Sequence, residues 1–247
     1  MHRTLNNKEL KFNAKMIIKS KPKIILHSLV YILLSYLLSM LFSLLSGYTE
    51  LMYAYLDAFE AGGGMADVTI PTVKPAAMIL ALLLYLMTYV LAGGYCGYCL
   101  LTVRHFDAKV RNMFPQTKLM LRIILIEVVR AIIISIASVF FILPGVILSY
   151  AYKMAIYIMF DHPEYSAIKC LRESRKLMKG SKMRLFKLDL SFLGWYIAQS
   201  AASVLIGPVI DVWLEPYLGL TVASFYTNIA DTGYVNFDQS YIDQQNF

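Results

Sequence analysis

The chain has 247 residues, of which 58% are hydrophobic and only 16% are charged. Soluble domains are typically about 45 to 50% apolar and about 25% charged, so a water-soluble fold of this length would lack charged surface. The composition therefore indicates a protein that buries its apolar residues in a lipid bilayer. The net charge of +7 is distributed beside apolar runs rather than along one soluble face, and we expect no nucleic-acid partner.

The first apolar run, Ile24–Ser46, is long enough to cross a hydrocarbon layer of about 30 Å. It follows a basic segment, residues 1–23, which we predict to be a cytoplasmic tail. Because the run exceeds the roughly 7 to 15 residues of a cleaved signal peptide and lacks an Ala-x-Ala site, it is predicted to stay as an anchor helix. A second span is predicted at residues 76–103, and the acidic, glycine-rich segment 47–75 between them is predicted to be an extracytoplasmic loop.

The third apolar stretch, residues 123–160, is interrupted by Pro144 and Gly145 and is either one kinked helix or a helical hairpin. Eight Lys and Arg residues follow within residues 161–187, and basic residues in short loops stay in the cytoplasm. A single crossing would place all eight outside. We therefore predict a hairpin with legs at residues 123–143 and 146–160.

Two further spans are predicted at residues 190–210 and 217–230, followed by a polar tail at residues 231–247. Because this tail has no Lys or Arg, five crossings with an external tail remain an alternative. The sequence thus predicts an all-α transmembrane bundle of about six helices in three hairpins, with a cytoplasmic N-terminus. In this topology most of the 23 Lys and Arg residues fall on the cytoplasmic side, in residues 1–23, 104–122 and 161–187.

Residues 164–179 have the pattern of a cytoplasmic amphipathic helix, which starts after Asp161 and Pro163 and stops at Gly180. Such a helix binds anionic lipid headgroups or a partner, or it holds the cytoplasmic side in place, and we favour the last. The predicted apolar face contains Ala167, Ile168, Cys170, Leu171, Leu177 and Met178, and the basic face contains Lys169, Arg172, Lys176 and Lys179.

Charged residues inside apolar spans are costly unless they are paired or hydrated. Glu127 and Arg130 are three residues apart and share a helix face. If the hairpin turns about Pro144 and Gly145, Arg130 lies level with Asp161, so we predict an Arg130–Asp161 ion pair.

Lys153 is predicted to lie level with Ile136, too far along the helix to meet Glu127. Three arrangements are open for Lys153: its long side chain reaches the interface, it pairs with Asp189 or Asp211 of another hairpin, or it lines a polar cavity.

Gly93 and Gly97 form a G-x-x-x-G pattern, which predicts close helix packing. Cys96 and Cys99 form a lone C-x-x-C without a second pair or a nearby His, so we expect no metal. No hydrolase, metalloprotease or phosphate-loop motif is present, and the histidines lack ligand spacing. The sequence therefore predicts a protein that is not an enzyme and has no cofactor. The scattered histidines are His2, His27, His105 and His162.

Several motifs in the second half resemble one known family. Residues 143–152 read L-P-G-V-I-L-S-Y-A-Y, residues 161–163 D-H-P, residues 174–186 S-R-K-L-M-K-G-S-K-M-R-L-F and residues 190–195 L-S-F-L-G-W. They resemble the bacterial integral membrane family catalogued as domain of unknown function 975. The segment L-K-F-N-A-K near the start and the late E-P-Y are similar to it too.

The resemblance implies a multi-pass protein of the bacterial cytoplasmic membrane, with no activity, cofactor or catalytic residue to carry over. Our leading hypothesis is a non-enzymatic accessory or protective membrane protein whose partner is the lipid bilayer, including its anionic headgroups. The alternatives are a small transporter or channel that uses Glu127, Arg130 and Lys153, and a lipid-modifying enzyme. The sequence leaves protein partners and oligomeric state open.

Overall fold

The structure is a computed structural model that describes residues 5–62, 68, 72–104, 106–206 and 208–230. The secondary structure of these residues is helical, without strands, which confirms the predicted all-α class. The helices are α1 (Asn7–Ser20), α2 (Lys23–Ser46), α3 (Tyr48–Glu60), α4 (Pro75–Val103), α5 (Thr117–Phe140), α6 (Ile142–Tyr152), α7 (Ala155–Asp161), α8 (Ala167–Leu177), α9 (Lys182–Leu190), α10 (Leu193–Ile206) and α11 (Asp211–Ala230), with a 3-10 turn at Val110–Met113.

Within the described ranges, three helical segments are long and apolar enough to cross a membrane: Lys23–Ser46, Pro75–Val103 and Ile142–Asp161. The first two match the first two predicted spans closely. The third joins α6 and α7, which are separated only by Lys153 and Met154. The larger number of six crossings stays a prediction, and residues 231–247 lie outside the described residues.

The described residues form two compact units, one within residues 5–32 and 90–230 and the other within residues 33–89. In the smaller unit, the segment predicted to be a loop contains a helix, α3, so that prediction is wrong for residues 48–60. Gly47 precedes α3 with a φ of +68°, a left-handed conformation that glycine adopts without steric cost. This glycine allows the chain to leave α2 and start a new helix at once.

In the larger unit, residues 1–23 were predicted to be a tail, but α1 is part of the fold. Leu10, Ala14 and Ile18 recur at every fourth position, and all three are buried. This stripe packs against α11. The basic residues of α1 concealed its apolar stripe, because only one residue in four is needed to dock a short helix.

The predicted hairpin is present, but its turn comes earlier than expected. α5 ends at Phe140, Phe141 is extended, and α6 begins at Ile142, so Pro144 and Gly145 lie in the first turn of α6. Proline is tolerated there because its missing N–H would have no partner within the helix. A side chain on Gly145 would overlap the hydroxyl of Ser138, so glycine permits the close approach of α5 and α6.

The glycines of α4 confirm the predicted role in helix packing. A methyl group at Gly93 would lie 2.8 Å from the side chain of Ile123 on α5, and one at Gly97 would lie 2.6 Å from the ring of Phe160 on α7. Gly94, between them, faces backbone, since a methyl group there would overlap the carbonyl oxygen of Met113. At these three glycines, the backbone of α4 therefore packs directly against its neighbours.

The substitution Gly94→Ala tests this close approach. Because the obstacle is a backbone carbonyl rather than a flexible side chain, we expect a loss of about 1 to 3 kcal/mol in the free energy of unfolding. Gly194→Ala in α10 is the matched control, since a methyl group there meets nothing within 4 Å. Thermal unfolding of both variants in the same detergent measures the difference. Equal midpoints would contradict the packing described here.

Candidate functional site

Asp161, the last residue of α7, holds the ends of three helices together. The guanidinium of Arg104, one residue beyond α4, donates hydrogen bonds to its Oδ1 at 2.7 Å and its Oδ2 at 2.9 Å. The hydroxyl of Tyr226, near the end of α11, donates to Oδ2 at 2.6 Å. Only about a tenth of each charged side chain is exposed, 12% for Arg104 and 11% for Asp161. A two-pronged, charge-assisted contact of this kind is among the strongest that side chains make.

The predicted Arg130–Asp161 ion pair is wrong. Arg130 instead pairs with Glu127 on its own helix, with 2.6 Å between Nη2 and Oε2. The error came from the assumed position of the turn. Because α6 begins at Ile142, its residues pair with earlier levels of α5 than the sequence analysis assumed. The shared helix face of Glu127 and Arg130 is confirmed.

Lys153 lies at the break between α6 and α7, where its ammonium contacts the Oδ2 of Asp189 at 2.7 Å. Of the arrangements left open for Lys153, the structure selects the ion pair with Asp189, near the end of α9. The break itself is stabilised by Ser174 of α8, whose hydroxyl donates to the carbonyl oxygen of Ala151 at 2.9 Å. A backbone acceptor released by the end of α6 is thereby satisfied.

Cys96 of α4 forms a hydrogen bond with Tyr157 of α7, which links these two helices. In the part of the chain that the structure describes, no group of three or more His, Cys, Asp or Glu side chains is placed to hold a metal ion.

The predicted amphipathic helix is α8, and its apolar face packs on protein. Ser166 caps its N-terminus by accepting a hydrogen bond from the backbone N–H of Lys169, so α8 starts later than the predicted signals at Asp161 and Pro163. Gly180, with a φ of +86°, follows its end as predicted. Ile168 was assigned to the apolar face but is 62% exposed. The residues that pack towards α5, α6 and α7 are Ala167, Cys170, Leu171, Ser174 and Met178.

The opposite face of α8 is solvent-exposed and basic, and we call Lys169, Arg172, Lys176 and Lys179 the α8 basic surface. The ammonium of Lys169 lies 3.4 Å from the centre of the Tyr165 ring, and that of Lys176 lies 2.7 Å from a carboxylate oxygen of Glu173. Arg172 and Lys179 make no ion pair within the described residues.

A cavity of about 250 Å³ lies between this surface and the Asp161 contact. Asp161, Glu173 and Lys176 supply charge to its lining, and His162 stacks on Tyr165 with 4.5 Å between ring centres. Asp161 is paired with Arg104 and Tyr226, and Glu173 with Lys176. The Nδ1 of His162 lies 3.2 Å from the Oε1 of Glu164.

Sequence reasoning missed Arg104 as the partner of Asp161, although the predicted topology contained the signal. Arg104 directly follows the second predicted span and Asp161 directly follows the fourth. Because both spans were predicted to end on the cytoplasmic side, the two residues were expected at the same depth. The predicted pairing relied on residue levels within one hairpin rather than on the shared membrane depth of residues in different hairpins.

Helical segments of membrane-crossing length, such as those described above, are typical of helical membrane proteins. Residues 120–232 match the family model described as protein of unknown function (DUF975), which confirms the resemblance over α5 to α11. The N-terminal L-K-F-N-A-K segment lies outside the matched residues. No curated protein and no solved structure matches the chain.

The substitution Asp161→Asn tests the contact at the three helix ends. It removes the negative charge that Asp161 presents to the nearly buried guanidinium of Arg104, so we expect a loss of about 3 to 5 kcal/mol in the free energy of unfolding. Glu173→Gln breaks the exposed pair with Lys176 and is expected to cost less than about 1 kcal/mol. Denaturant unfolding in detergent compares the two variants. A similar small loss in both would show that Asp161 is not a structural centre.

Proposed function

We propose that this protein is a non-enzymatic accessory membrane protein that contacts anionic lipid headgroups through the α8 basic surface. The observation that carries the proposal is that the two faces of α8 have different surroundings. Its apolar face is covered by α5, α6 and α7, while its basic face is open to solvent. A helix fixed in this way presents charge without inserting into the bilayer.

The position of α8 in the chain supports an encounter with the cytoplasmic leaflet. α8 follows the apolar segment Ile142–Asp161 after a short connection, so the α8 basic surface lies close to the end of a membrane-length segment. The cytoplasmic leaflet carries the anionic lipids that attract juxtamembrane Lys and Arg, by about 1 kcal/mol each near the surface. The positive-inside pattern of the sequence supports a position of α8 on that side.

The ion pairs favour a structural role for the charged residues over a transport role. Lys153, Glu127 and Arg130 were the basis of the transporter hypothesis, and each has a partner within hydrogen-bonding distance. A transport site needs charges that exchange partners with a solute. Movement of potassium, chloride or protons through proteoliposomes faster than through empty liposomes would contradict this part of the proposal.

The variant Arg172→Gln/Lys179→Gln tests the lipid contact. Both residues are exposed and have no ion-pair partner among the described residues, so the fold should be unaffected. We expect the preference of spin-labelled phosphatidylglycerol over phosphatidylcholine at the protein surface to fall severalfold in reconstituted vesicles. Lys109→Gln/Lys118→Gln removes the same charge from exposed residues outside α8 and should have a smaller effect. Equal effects would exclude a specific role of α8.

Cysteine labelling in intact cells tests the orientation. The native Cys170 is buried, and burial raises the pKa of its thiol to about 11, so it should react slowly at neutral pH. A cysteine introduced by Arg172→Cys should react with an impermeant maleimide only after permeabilisation. One introduced by Thr72→Cys, in the segment predicted outside, should react in intact cells. Labelling of the Arg172→Cys variant in intact cells would reverse the proposed topology.

A further inference from the structure

A second cavity, of about 260 Å³, opens where α1 meets α2 and where α4 ends. Lys21, Lys23 and His27 supply basic groups to its lining, while Ile24 and Phe106 supply apolar surface. Hydroxyl and phenol groups of Thr102 and Tyr98 complete it. None of these residues belongs to the α8 basic surface.

Lys21 and His27 are held in place in this cavity, and all three of its basic groups retain free donors. The ammonium of Lys21 uses one N–H to donate to the carbonyl oxygen of Phe106 at 3.2 Å. The Nδ1 of His27 lies 2.9 Å from the hydroxyl of Tyr98, and when that hydroxyl donates, the Nε2–H remains as a donor. The ammonium of Lys23 is exposed and has no ion-pair partner within the described residues.

The cavity lies at the ends of two helices of membrane-crossing length. Lys23 is the first residue of the apolar helix α2, and Tyr98 and Thr102 lie in the last turns of the apolar helix α4. Side chains at the ends of membrane-length helices sit at the boundary between hydrocarbon and water. Basic donors at this boundary, beside apolar surface, match a molecule with a phosphate group and acyl chains.

Asp107 is the one acid among the described lining residues, and its side chain is exposed. Two lysines against one carboxylate leave the lining with a net positive charge. Lys is a common phosphate ligand, since its compact ammonium offers several donors to an anion of tetrahedral shape.

We propose that the cavity between the α1–α2 junction and the end of α4 binds one phosphate group through Lys21, Lys23 and His27. The phosphate comes either from an anionic phospholipid headgroup or from a soluble phosphate. The site is separate from α8 and does not depend on the function proposed for that helix.

Native mass spectrometry of the detergent-solubilised full chain tests the site. The protein is mixed in separate experiments with phosphatidylglycerol, with diacylglycerol of the same acyl chains, and with inorganic phosphate. We expect one tightly retained phosphatidylglycerol and no retained diacylglycerol. Retention of inorganic phosphate at similar concentrations would identify a soluble phosphate as an equally good ligand of the same site.

Variants assign the bound phosphate to the cavity. Lys21→Gln/Lys23→Gln should weaken phosphatidylglycerol binding by roughly 10- to 30-fold, from about fivefold per lysine. Lys23→Gln alone avoids the structural contact of Lys21 and should weaken binding about fivefold, while Lys23→Arg should restore most of it. Lys19→Gln, which removes an exposed lysine of α1 outside the cavity, should bind as the native chain does.

Three results would overturn the proposal. One is retention of phosphatidylglycerol that is equal in the native chain and in Lys21→Gln/Lys23→Gln. Another is equal retention of phosphatidylglycerol and diacylglycerol, since the phosphate would then contribute nothing. Loss of binding in Arg172→Gln/Lys179→Gln with normal binding in Lys23→Gln would also overturn it, because the lipid would then sit on α8.

Discussion

The contact of Asp161 with Arg104 and Tyr226 is the interaction on which the arrangement of the larger unit depends. It joins the C-terminal ends of α4, α7 and α11, where the helix dipoles leave partial negative charge. Arg104 offsets that charge as well as the charge of Asp161. Because both ionised side chains are nearly buried, neither tolerates the loss of the other, and the three helix ends are fixed as a set.

The need of a nearly buried charge for an opposite charge also explains the other charged residues in apolar surroundings. Glu127 and Arg130 neutralise each other within α5, and Lys153 reaches Asp189 from the break between α6 and α7. Each pair lets a polar residue occupy a position where an isolated charge would be expelled. The resulting scaffold supports α8, whose buried Ser174 reaches back to the α6–α7 break. The α8 basic surface is thus supported by helices in which each of these charged residues has a partner of opposite charge.

The two proposed lipid contacts depend on different physical interactions. The α8 basic surface presents exposed side chains, and such a surface attracts anionic lipids through long-range, salt-sensitive electrostatics. The proposed cavity site beside Lys21, Lys23 and His27 offers donors next to apolar surface, so it suits a single molecule held by direct contacts.

Composition and basic clusters were sufficient to predict the helical class, the first two long helices and the amphipathic helix, because hydropathy and periodicity are local properties of a sequence. They also identified Lys153, Glu127 and Asp161 as residues that need partners. The partners themselves depended on the tertiary structure. The turn at Phe141, three residues before the expected Pro144, changed the register of a whole hairpin, and the docking of α1 on α11 joins residues far apart in the chain. Pairing across helices is set by side-chain packing, which no single segment encodes.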